Sequence, residues 1–266
     1  VQCPCILLQL VATGKPLSTV GMRVEDRTRT FTIAMERTVV SENFSFRMTD
    51  EEYRVLEKIK NSIPVCYLAD HADFALGIVT GNNKKFLSAE KTQHSEMVLK
   101  GTDICKYHIN PVKQYLRFEP EQFQQVAPLE IYRAPEKLLY RFISNQLVVA
   151  YDDRQMLSLN SCNIVIPKIE GMQIKYILAI LNSSVSQFVY QKEFHSIKVL
   201  RAHMEHIPIP RVGKAIQNEI IAMTEPLIHG MEKEAAETCR KRLDGRIMEL
   251  FRLSAEEQRM IRNALH

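Results

Sequence analysis

The sequence lacks long hydrophobic runs. No apolar stretch in its 266 residues reaches the roughly 18 to 20 residues that a membrane-spanning helix requires, so we expect no membrane partner. The opening residues VQCPCILL have no basic flank, which argues against a secretory signal peptide. With 45% hydrophobic and 25% charged residues, the composition predicts a folded globular protein.

Common motifs of metal, nucleotide and acyl chemistry are also missing. Of the six cysteines only Cys3 and Cys5 are close together, and no two Cys-x-x-Cys pairs occur, so we expect no structural zinc. Scattered cysteines without an export signal favour a reducing compartment. The sequence contains no Gly-x-x-x-x-Gly-Lys-(Ser/Thr) phosphate loop and no Gly-x-Ser-x-Gly nucleophile turn.

Three histidines lie close together in the sequence. His203 and His206 have a spacing that places both on one helical face, with His195 upstream. No acidic third ligand follows at a suitable offset, and Pro208 comes directly afterwards. We therefore predict surface or phosphate-facing groups at these positions and no metal site.

Acidic residues offer a further possibility. Asp152 and Asp153, together with Glu170, could imitate a nuclease carboxylate set, but no Asp...Glu-x-Lys spacing supports one. A turn capped by Asp is the preferred interpretation. A hydrolase that uses Asp152, Asp153 and His195 stays open as a third hypothesis, and it requires the three side chains to converge in a pocket.

The stretch Phe74–Leu87 has an alternating apolar pattern that ends in Gly81-Asn82-Asn83. This pattern predicts a strand, a tight polar turn and a return strand through Phe86. Such a turn could project two carboxamides toward base edges and two ammonium groups toward phosphates. The four side chains concerned are Asn82, Asn83, Lys84 and Lys85.

Positive charge is concentrated in the middle of the chain. The net charge is +4, and between Gly77 and Lys214 there are 18 Lys and Arg against 12 Asp and Glu. This segment therefore carries +6, whereas the flanks sum to −2. A local excess of this kind suits contact with phosphates.

The first part of the chain predicts a buried strand over Cys5–Val11 and one or two exposed strands within Arg27–Val40. The buried strand either joins a sheet downstream or is the last strand of a preceding catalytic sheet. Thr49 and Glu52 form a capping box, so a helix is predicted over Asp50–Asn61.

The middle of the chain predicts a twisted, mainly antiparallel sheet. Turn residues separate short β-rich runs, which are Phe74–Val79, Lys85–Ser88, Ile104–Ile109, Leu138–Ile143, Gln146–Tyr151 and Asn163–Ile166.

Helical patterns follow the sheet. They cover Ile174–Leu181, Val185–Phe194, Ala215–Ile228 and Met231–Leu250, and a capping box at Ser254 and Glu257 predicts one more helix. The predicted class is α+β, with the helical region at the C-terminal end.

Several motifs in order resemble the TaqI-like C-terminal specificity domain. The first is Gly-Ile-x-Thr-Gly-x-Asn-x-x-Phe at 77–86, followed by Leu-Lys-Gly-Thr-Asp-Ile-Cys-Lys-Tyr at 99–107. Leu-Asn-Ser at 181–183, Ile-Pro-Ile-Pro at 207–210 and the helical segment 243–257 complete the series. The resemblance covers about residues 46 to 266.

This resemblance implies the DNA-reading part of an adenine-N6 DNA methyltransferase or of a fused restriction-modification enzyme, which can also carry an endonuclease. It implies double-stranded DNA as a partner, a catalytic methyltransferase domain in the same or a separate chain, and a prokaryotic cytoplasm. The sequence has neither the glycine-rich cofactor turn nor the Asn-Pro-Pro-Tyr-like run of the catalytic domain. We therefore expect no cofactor and no catalysis in this chain, with S-adenosyl-L-methionine bound by the parent enzyme.

The resemblance also divides the chain into parts. Residues 1–45 are expected to be the end of a catalytic domain, residues 46–212 the target-recognition domain, and residues 213–266 a C-terminal helical region. The resemblance favours the explanation that the strand predicted at Cys5–Val11 is the last strand of a preceding catalytic sheet.

The expected DNA-binding residues come from motif position or from charge. The motif carries over Thr80, Gly81 and Asn83, whereas charge and location select the others. The base-reading set is Asn82, Asn83 and Tyr107, with Thr80 positioning the turn. The phosphate-binding set is Lys84, Lys85, Lys100, Lys106, Arg133 and Arg154.

A second hypothesis is a standalone specificity subunit of a type I-like restriction system. Readers of that kind also leave through an Ile-Pro-x-Pro segment into spacer helices, and Gln217 with the apolar stripe Ile216–Leu227 fits this arrangement. Such subunits usually carry two readers, and only one is visible in this sequence.

Overall fold

The structure is a computed structural model, which describes residues 19–25, 29–37, 47–194 and 196–265. The chain divides into two compact units, Val1–Tyr53 and Arg54–His266. The strand predicted at Cys5–Val11 lies outside the described residues. The sequence-based division at residues 45 and 212 stays a prediction.

The first unit contains a short antiparallel ribbon. Strands β1 (Arg23–Glu25) and β2 (Thr30–Thr32) pair through Val24 and Phe31. Helix α1 (Asp50–Asn61) begins at the predicted capping box, where the Thr49 N–H donates to Glu52 at 3.0 Å and the Glu52 N–H donates to Thr49 Oγ1 at 3.2 Å. The α1 prediction is confirmed.

The second unit contains two four-stranded sheets. The elements after α1 are, in order, β3 (Val65–Cys66), β4 (Ala72–Ala75), α2 (Asn83–Phe86), β5 (Leu87–Ser88), β6 (Ser95–Leu99), β7 (Tyr115–Arg117), α3 (Leu129–Tyr132), β8 (Lys137–Arg141), β9 (Val149–Asp152), β10 (Leu157–Ser158) and β11 (Cys162–Pro167). The first sheet has the order β10-β6-β7-β5 and is antiparallel except for the β10/β6 pair. The second has the order β4-β11-β8-β9 and is antiparallel throughout.

One apolar core joins these sheets. Val98 and Leu116 of the first sheet and Leu139 and Ile164 of the second belong to the same buried cluster, and each is fully buried. Burial of apolar side chains from both sheets contributes roughly 25 cal/mol for each Å² removed from water, so packing the sheets on one another stabilises both.

Helices complete the second unit. They are α4 (Ile174–Leu181), α5 (Ser184–Glu193), α6 (Arg201–Glu205), α7 (Lys214–His229), α8 (Lys233–Leu250) and α9 (Ala255–Ala264), with strand β12 (Ile209–Pro210) between α6 and α7. Strand β12 pairs with β3. Helix α4 is buried from Tyr176 through Leu181 and packs against α7 and β9. The α+β class with antiparallel sheets and C-terminal helices is confirmed.

No helix in the described ranges is both long enough and apolar enough to cross a membrane.

Candidate functional site

The predicted hairpin at Phe74–Leu87 is wrong. Strand β4 pairs with β11 rather than with the chain that follows it, and β5 pairs with β7. The connecting residues Asn83–Phe86 form a helical turn. The alternation of apolar residues indicated a strand correctly, but it carried no information about the strand's partner, which lies about 90 residues away in the sequence.

Side-chain hydrogen bonds explain why the turn is helical. Asn82 is the N-cap, because its side-chain oxygen accepts from the Lys85 N–H at 3.2 Å. Thr80 is buried, and its hydroxyl donates to Asn83 Oδ1 at 2.6 Å. Gly81 has φ +73°, a conformation that favours glycine. Asn82 therefore shapes the backbone, while Thr80 orients Asn83.

The two lysines of the turn are exposed. Lys85 Nζ donates to Gln122 Oε1 at 2.6 Å and lies 4.8 Å from the centre of the Phe86 ring. Lys84 lies beside Asn83 at the margin of a surface depression. Lys84 is thus the lysine of the pair that lines the depression.

The 99–107 motif supplies the opposite side of this depression. Gly101 is buried, and a Cβ there would lie 2.5 Å from the Ser161 carbonyl oxygen. The Gly101 N–H donates to Ser161 Oγ at 3.0 Å. The Lys100 N–H donates to Asp103 Oδ2 at 2.9 Å, and Lys100 is one of the residues that line the depression.

The depression has a volume of about 420 Å³ and a strongly polar lining. Its residues come from α2 and β5, from the residues just before a short 3-10 turn (Gly101–Asp103) and just before β7, and from the turn between β10 and β11. They are Asn83, Lys84, Leu87, Lys100, Gln114, Leu159, Asn160 and Ser161. Three residues with carboxamide side chains and two lysines therefore line one surface depression, and no acidic residue among the described ones lines it.

Gln114 and Asn160 were missed by the sequence analysis. Neither lies in a recognisable motif, and each reaches the depression through pairing with a distant segment. The Val98 N–H donates to the Gln114 carbonyl at 3.1 Å, and the Asn160 N–H donates to the Ile78 carbonyl at 3.1 Å. The sequence offers one sign of these two residues: each is a polar residue next to a short apolar strand.

Lys106 does not face solvent freely in this structure. Its Nζ donates to the Asn182 carbonyl at 2.9 Å. Burial lowers the pKa of Lys106, and the nearby Asp244 carboxylate acts in the opposite direction. The Asp244 carboxylate also accepts from the Ser184 N–H at 2.6 Å. Lys106 thus connects the 99–107 motif to the Leu-Asn-Ser motif at 181–183, a structural contact that the sequence analysis did not predict.

Tyr107 is removed from the base-reading set. Its side chain is 3% exposed, and burial raises the pKa of its phenol. The Tyr107 backbone has φ +79° and pairs with the edge of β9, since its N–H donates to the Val149 carbonyl at 2.7 Å. An aromatic group enclosed in this way cannot reach a base without local unfolding.

The two predicted arginines have different surroundings. Arg133 forms an ion pair with both oxygens of Glu96, at 2.7 and 2.6 Å, and also donates to the Gln155 carbonyl at 2.8 Å. A guanidinium group neutralised by a carboxylate is a poor phosphate ligand. Arg154 is exposed and lies in the loop after β9. Neither arginine lines the depression.

The hydrolase hypothesis is contradicted at Asp152. This carboxylate is buried and bonded to Lys137 Nζ at 2.6 Å, and both side chains are fully enclosed. It also accepts from the N–H groups of Arg154 and Met156 at 2.9 and 3.0 Å, so the predicted Asp-capped turn is confirmed. Asp153 is exposed, and His195 lies outside the described residues.

Metal binding finds no support in the described ranges, where no three His, Cys, Asp or Glu side chains come together as possible ligands. His203 stacks on Phe194 with ring centres 4.5 Å apart. Burial lowers the pKa of His203. Its Nδ1 accepts from the Leu200 N–H at 3.2 Å, so this imidazole has a structural contact.

The comparison with family models matches residues 96–209 to the TaqI-like C-terminal specificity domain. The resemblance is therefore confirmed over this segment. The Gly-Ile-x-Thr-Gly motif at 77–86 and the helical segment 243–257 lie outside the match, so these two correspondences stay predictions. A comparison with curated proteins found no match.

Several solved structures resemble this chain. The type IIL restriction-modification enzyme MmeI, solved with DNA, matches at 10% identity and TM-score 0.51, covering 77% of this chain and 38% of MmeI. A chain of a type I restriction-modification system matches at 13% identity and TM-score 0.43, covering 81% of this chain and 51% of its own length. The HsdS subunit from Thermoanaerobacter tengcongensis matches at 14% identity and TM-score 0.41, covering 81% of this chain and 50% of its own length. The MmeI similarity shows a shared fold. The chain spans about half or less of the length of these proteins.

Proposed function

We propose that the chain binds double-stranded DNA and selects a target sequence for a restriction-modification enzyme. The premise is the match of residues 96–209 to the TaqI-like C-terminal specificity domain. The observation that carries this proposal is the depression lined by three carboxamides and two lysines without a carboxylate. Ammonium groups suit phosphates, and carboxamides suit base edges.

The finer proposal concerns the reaction that this recognition serves. An adenine-N6 DNA methyltransferase has to extrude its target base from the stack, which costs roughly a few kcal/mol. Contacts between a specificity domain and the neighbouring base pairs offset part of that cost. In this arrangement the catalytic domain binds S-adenosyl-L-methionine, while the present chain holds the duplex in register.

Salt dependence tests the binding proposal. The chain of 266 residues is titrated against a fluorescent duplex pool of random sequence over a series of salt concentrations. We expect affinity to fall steeply with salt, because each neutralised phosphate contributes a slope of about −0.9 in log K against log salt. Affinity that does not change with ionic strength would contradict the proposal.

Variants of the lining lysines identify the phosphate contacts. We expect Lys84→Ala and Lys100→Ala each to reduce the magnitude of the salt slope by about 0.9. Lys233→Ala is the matched control, since Lys233 is an exposed lysine at the start of α8 and does not line the depression. An equal reduction in all three variants would show a diffuse charge effect and would reject the depression as the binding surface.

A second candidate is a standalone specificity subunit of a type I-like system. The helices after the Ile-Pro-Ile-Pro segment form an apolar groove of about 610 Å³ between α7 and α8, lined in part by Ala222, Met223, Pro226 and Ala235. An exposed apolar groove is typical of a protein-binding surface. Co-purification with a separate methyltransferase polypeptide, lost in a Met223→Asp variant, supports this candidate.

A further inference from the structure

We propose that an apolar ribbon beside the depression inserts isoleucine side chains into the minor groove of the bound duplex and bends it. The ribbon consists of residues 141–146 and 196–201, and its exposed isoleucines are Ile143 and Ile197. This inference rests on the proposed duplex binding. It adds a second contact, which acts on the shape of the DNA and not on its base edges.

The two isoleucines are exposed to an unusual degree. Ile197 is 72% exposed and Ile143 is 61% exposed, the highest values among the exposed large apolar residues in the described ranges. Leu200, on the same ribbon, is 43% exposed. Single exposed apolar residues are common on protein surfaces, whereas several neighbouring ones are typical of an interaction site.

The backbone that carries these side chains is held in place. On one side of Ile143 the Ser144 N–H donates to the Ile197 carbonyl at 2.9 Å, and on the other side the Val199 N–H donates to the Phe142 carbonyl at 2.8 Å. Val199 is buried, so it anchors the second segment of the ribbon. The isoleucines are therefore presented from a fixed backbone, which limits the ordering cost of a contact.

The ribbon begins next to the depression. The Phe142 N–H donates to the carbonyl of Ser161, which lines the depression, at 3.0 Å. Arg141 Nε donates to the Gly101 carbonyl at 2.8 Å, and Gly101 lies against the same turn. Ile143 is the next residue after Phe142, so a duplex bound at the depression extends over the ribbon.

The charges of the ribbon favour DNA as its partner. Neither segment contains an acidic residue, and together they contribute Arg141, Lys198 and Arg201. Lys198 is exposed, whereas Arg201 is paired with Glu205 at 2.7 Å. Proteins that bend DNA through the minor groove use cations of this kind together with apolar side chains that separate two stacked base pairs, and isoleucine is among those side chains.

Duplex bending tests the inference. A preferred duplex is first selected with the full chain from a randomised library, and its bend is measured by energy transfer between dyes at its two ends. We expect the wild-type chain to bend this duplex by roughly 20° or more. A single 2-aminopurine is then placed at each adenine in turn. Its fluorescence should rise at one base step, because this base becomes brighter when it is unstacked.

Polar replacement of both isoleucines connects the bend to the ribbon. At saturating protein, the double variant Ile143→Ser with Ile197→Ser should return the bend and the 2-aminopurine signal to those of the free duplex. The dependence of affinity on salt should be unchanged, because no phosphate contact is removed. Met231→Ser is the matched control, since Met231 is 40% exposed and lies outside the ribbon. Circular dichroism verifies that each variant is folded.

The outcomes separate this inference from the proposed function. Selective, salt-dependent binding to a duplex that stays straight would overturn minor-groove insertion and leave duplex recognition intact. A bend that the double variant retains, or that Met231→Ser abolishes equally, would do the same. Loss of co-purification with a methyltransferase polypeptide in the double variant, with bending retained, would assign the ribbon to a protein partner and overturn the inference. Absence of duplex binding by the wild-type chain at any salt concentration would overturn both.

Discussion

Two glycines lie close to the backbone of the turn between β10 and β11. A Cβ at Gly77 would collide with the carbonyl groups of Leu159 and Cys162, and a Cβ at Gly101 would lie 2.5 Å from the Ser161 oxygen. All of these clashing atoms belong to backbone, which cannot move aside as a flexible side chain does. Both glycines therefore allow the backbone segments to pack closely. At Gly77 the reason is space alone, because its backbone conformation is one that other residues also adopt.

We expect Gly77→Ala to destabilise the protein by about 3 kcal/mol, the upper end of the usual range for overpacking, because the added Cβ would meet rigid backbone. Thermal unfolding monitored by circular dichroism measures this change. Gly245→Ala is the control, because Gly245 lies inside α8 with no atom within 4 Å of an added Cβ. Removal of a helix glycine should stabilise by about 0.5–1 kcal/mol. Similar melting temperatures for the two variants would contradict the packing account.

The buried Lys137–Asp152 pair joins facing residues of β8 and β9. Asp152→Asn leaves an enclosed ammonium group without its counter-charge, and we expect a loss of about 3 to 5 kcal/mol in unfolding free energy. Urea denaturation measures it. The exposed neighbour Asp153 provides the control, since Asp153→Asn should change stability by less than about 0.5 kcal/mol. The double variant Lys137→Met with Asp152→Asn should be more stable than Asp152→Asn alone.

Burial could not be predicted for individual charged or aromatic residues. Lys106 and Tyr107 have the composition of a DNA contact, yet Asn182 and Asp244 enclose or neutralise them from segments far along the chain. Thr80 is the opposite case, because its hydrogen bond to Asn83 is local and the motif indicated a positioning role. Local contacts are visible in a sequence, whereas contacts between distant segments are not.

Helices were predicted more accurately than sheet partners, for a physical reason. The capping boxes at Thr49/Glu52 and Ser254/Glu257 are complete within four residues, and both helices begin there. A helix bonds to itself, so its limits depend on nearby residues. Strand β4 bonds to β11, and nothing near β4 specifies that choice.

Helix α4 is joined to the second sheet by one carboxamide. Asn182 Oδ1 accepts from the Val149 N–H at 3.1 Å, and Asn182 Nδ2 donates to the Val149 carbonyl at 2.9 Å. The side chain therefore pairs with β9 as a neighbouring strand would. This residue belongs to the Leu-Asn-Ser motif, whose role here is to attach a helix to a sheet edge.

We expect Asn182→Asp to destabilise by about 2 to 4 kcal/mol, because a carboxylate oxygen would face the Val149 carbonyl in a buried position. Chemical denaturation measures the difference. Asn218→Asp serves as the control, since Asn218 is exposed and its oxygen accepts from Gln173 Nε2, a bond that aspartate retains. A carboxylate tolerated equally at both positions would show that the sheet contact contributes little.

At the scale of the whole molecule, the chain covers only part of the proteins that share its fold, with 38% of MmeI matched. It also contains no Asn-Pro-Pro-Tyr-like run. We therefore expect the isolated chain to bind duplex DNA without transferring methyl groups. Incubation with tritiated S-adenosyl-L-methionine and the selected duplex measures this directly. Methylation above the background of a protein-free reaction would reject the division between reading and catalysis.

The clamped turn at Asn160 and Ser161 also has an evolutionary consequence. The backbone of this turn lies close to two glycines and has little room to change its path, so we expect this part of the proposed binding surface to keep its backbone conformation. Under the proposed function, we expect new target preferences to arise by exchanging side chains around this turn, such as Asn83 and Asn160. This makes the chain a practical starting point for retargeting by a small combinatorial library in place of loop grafting.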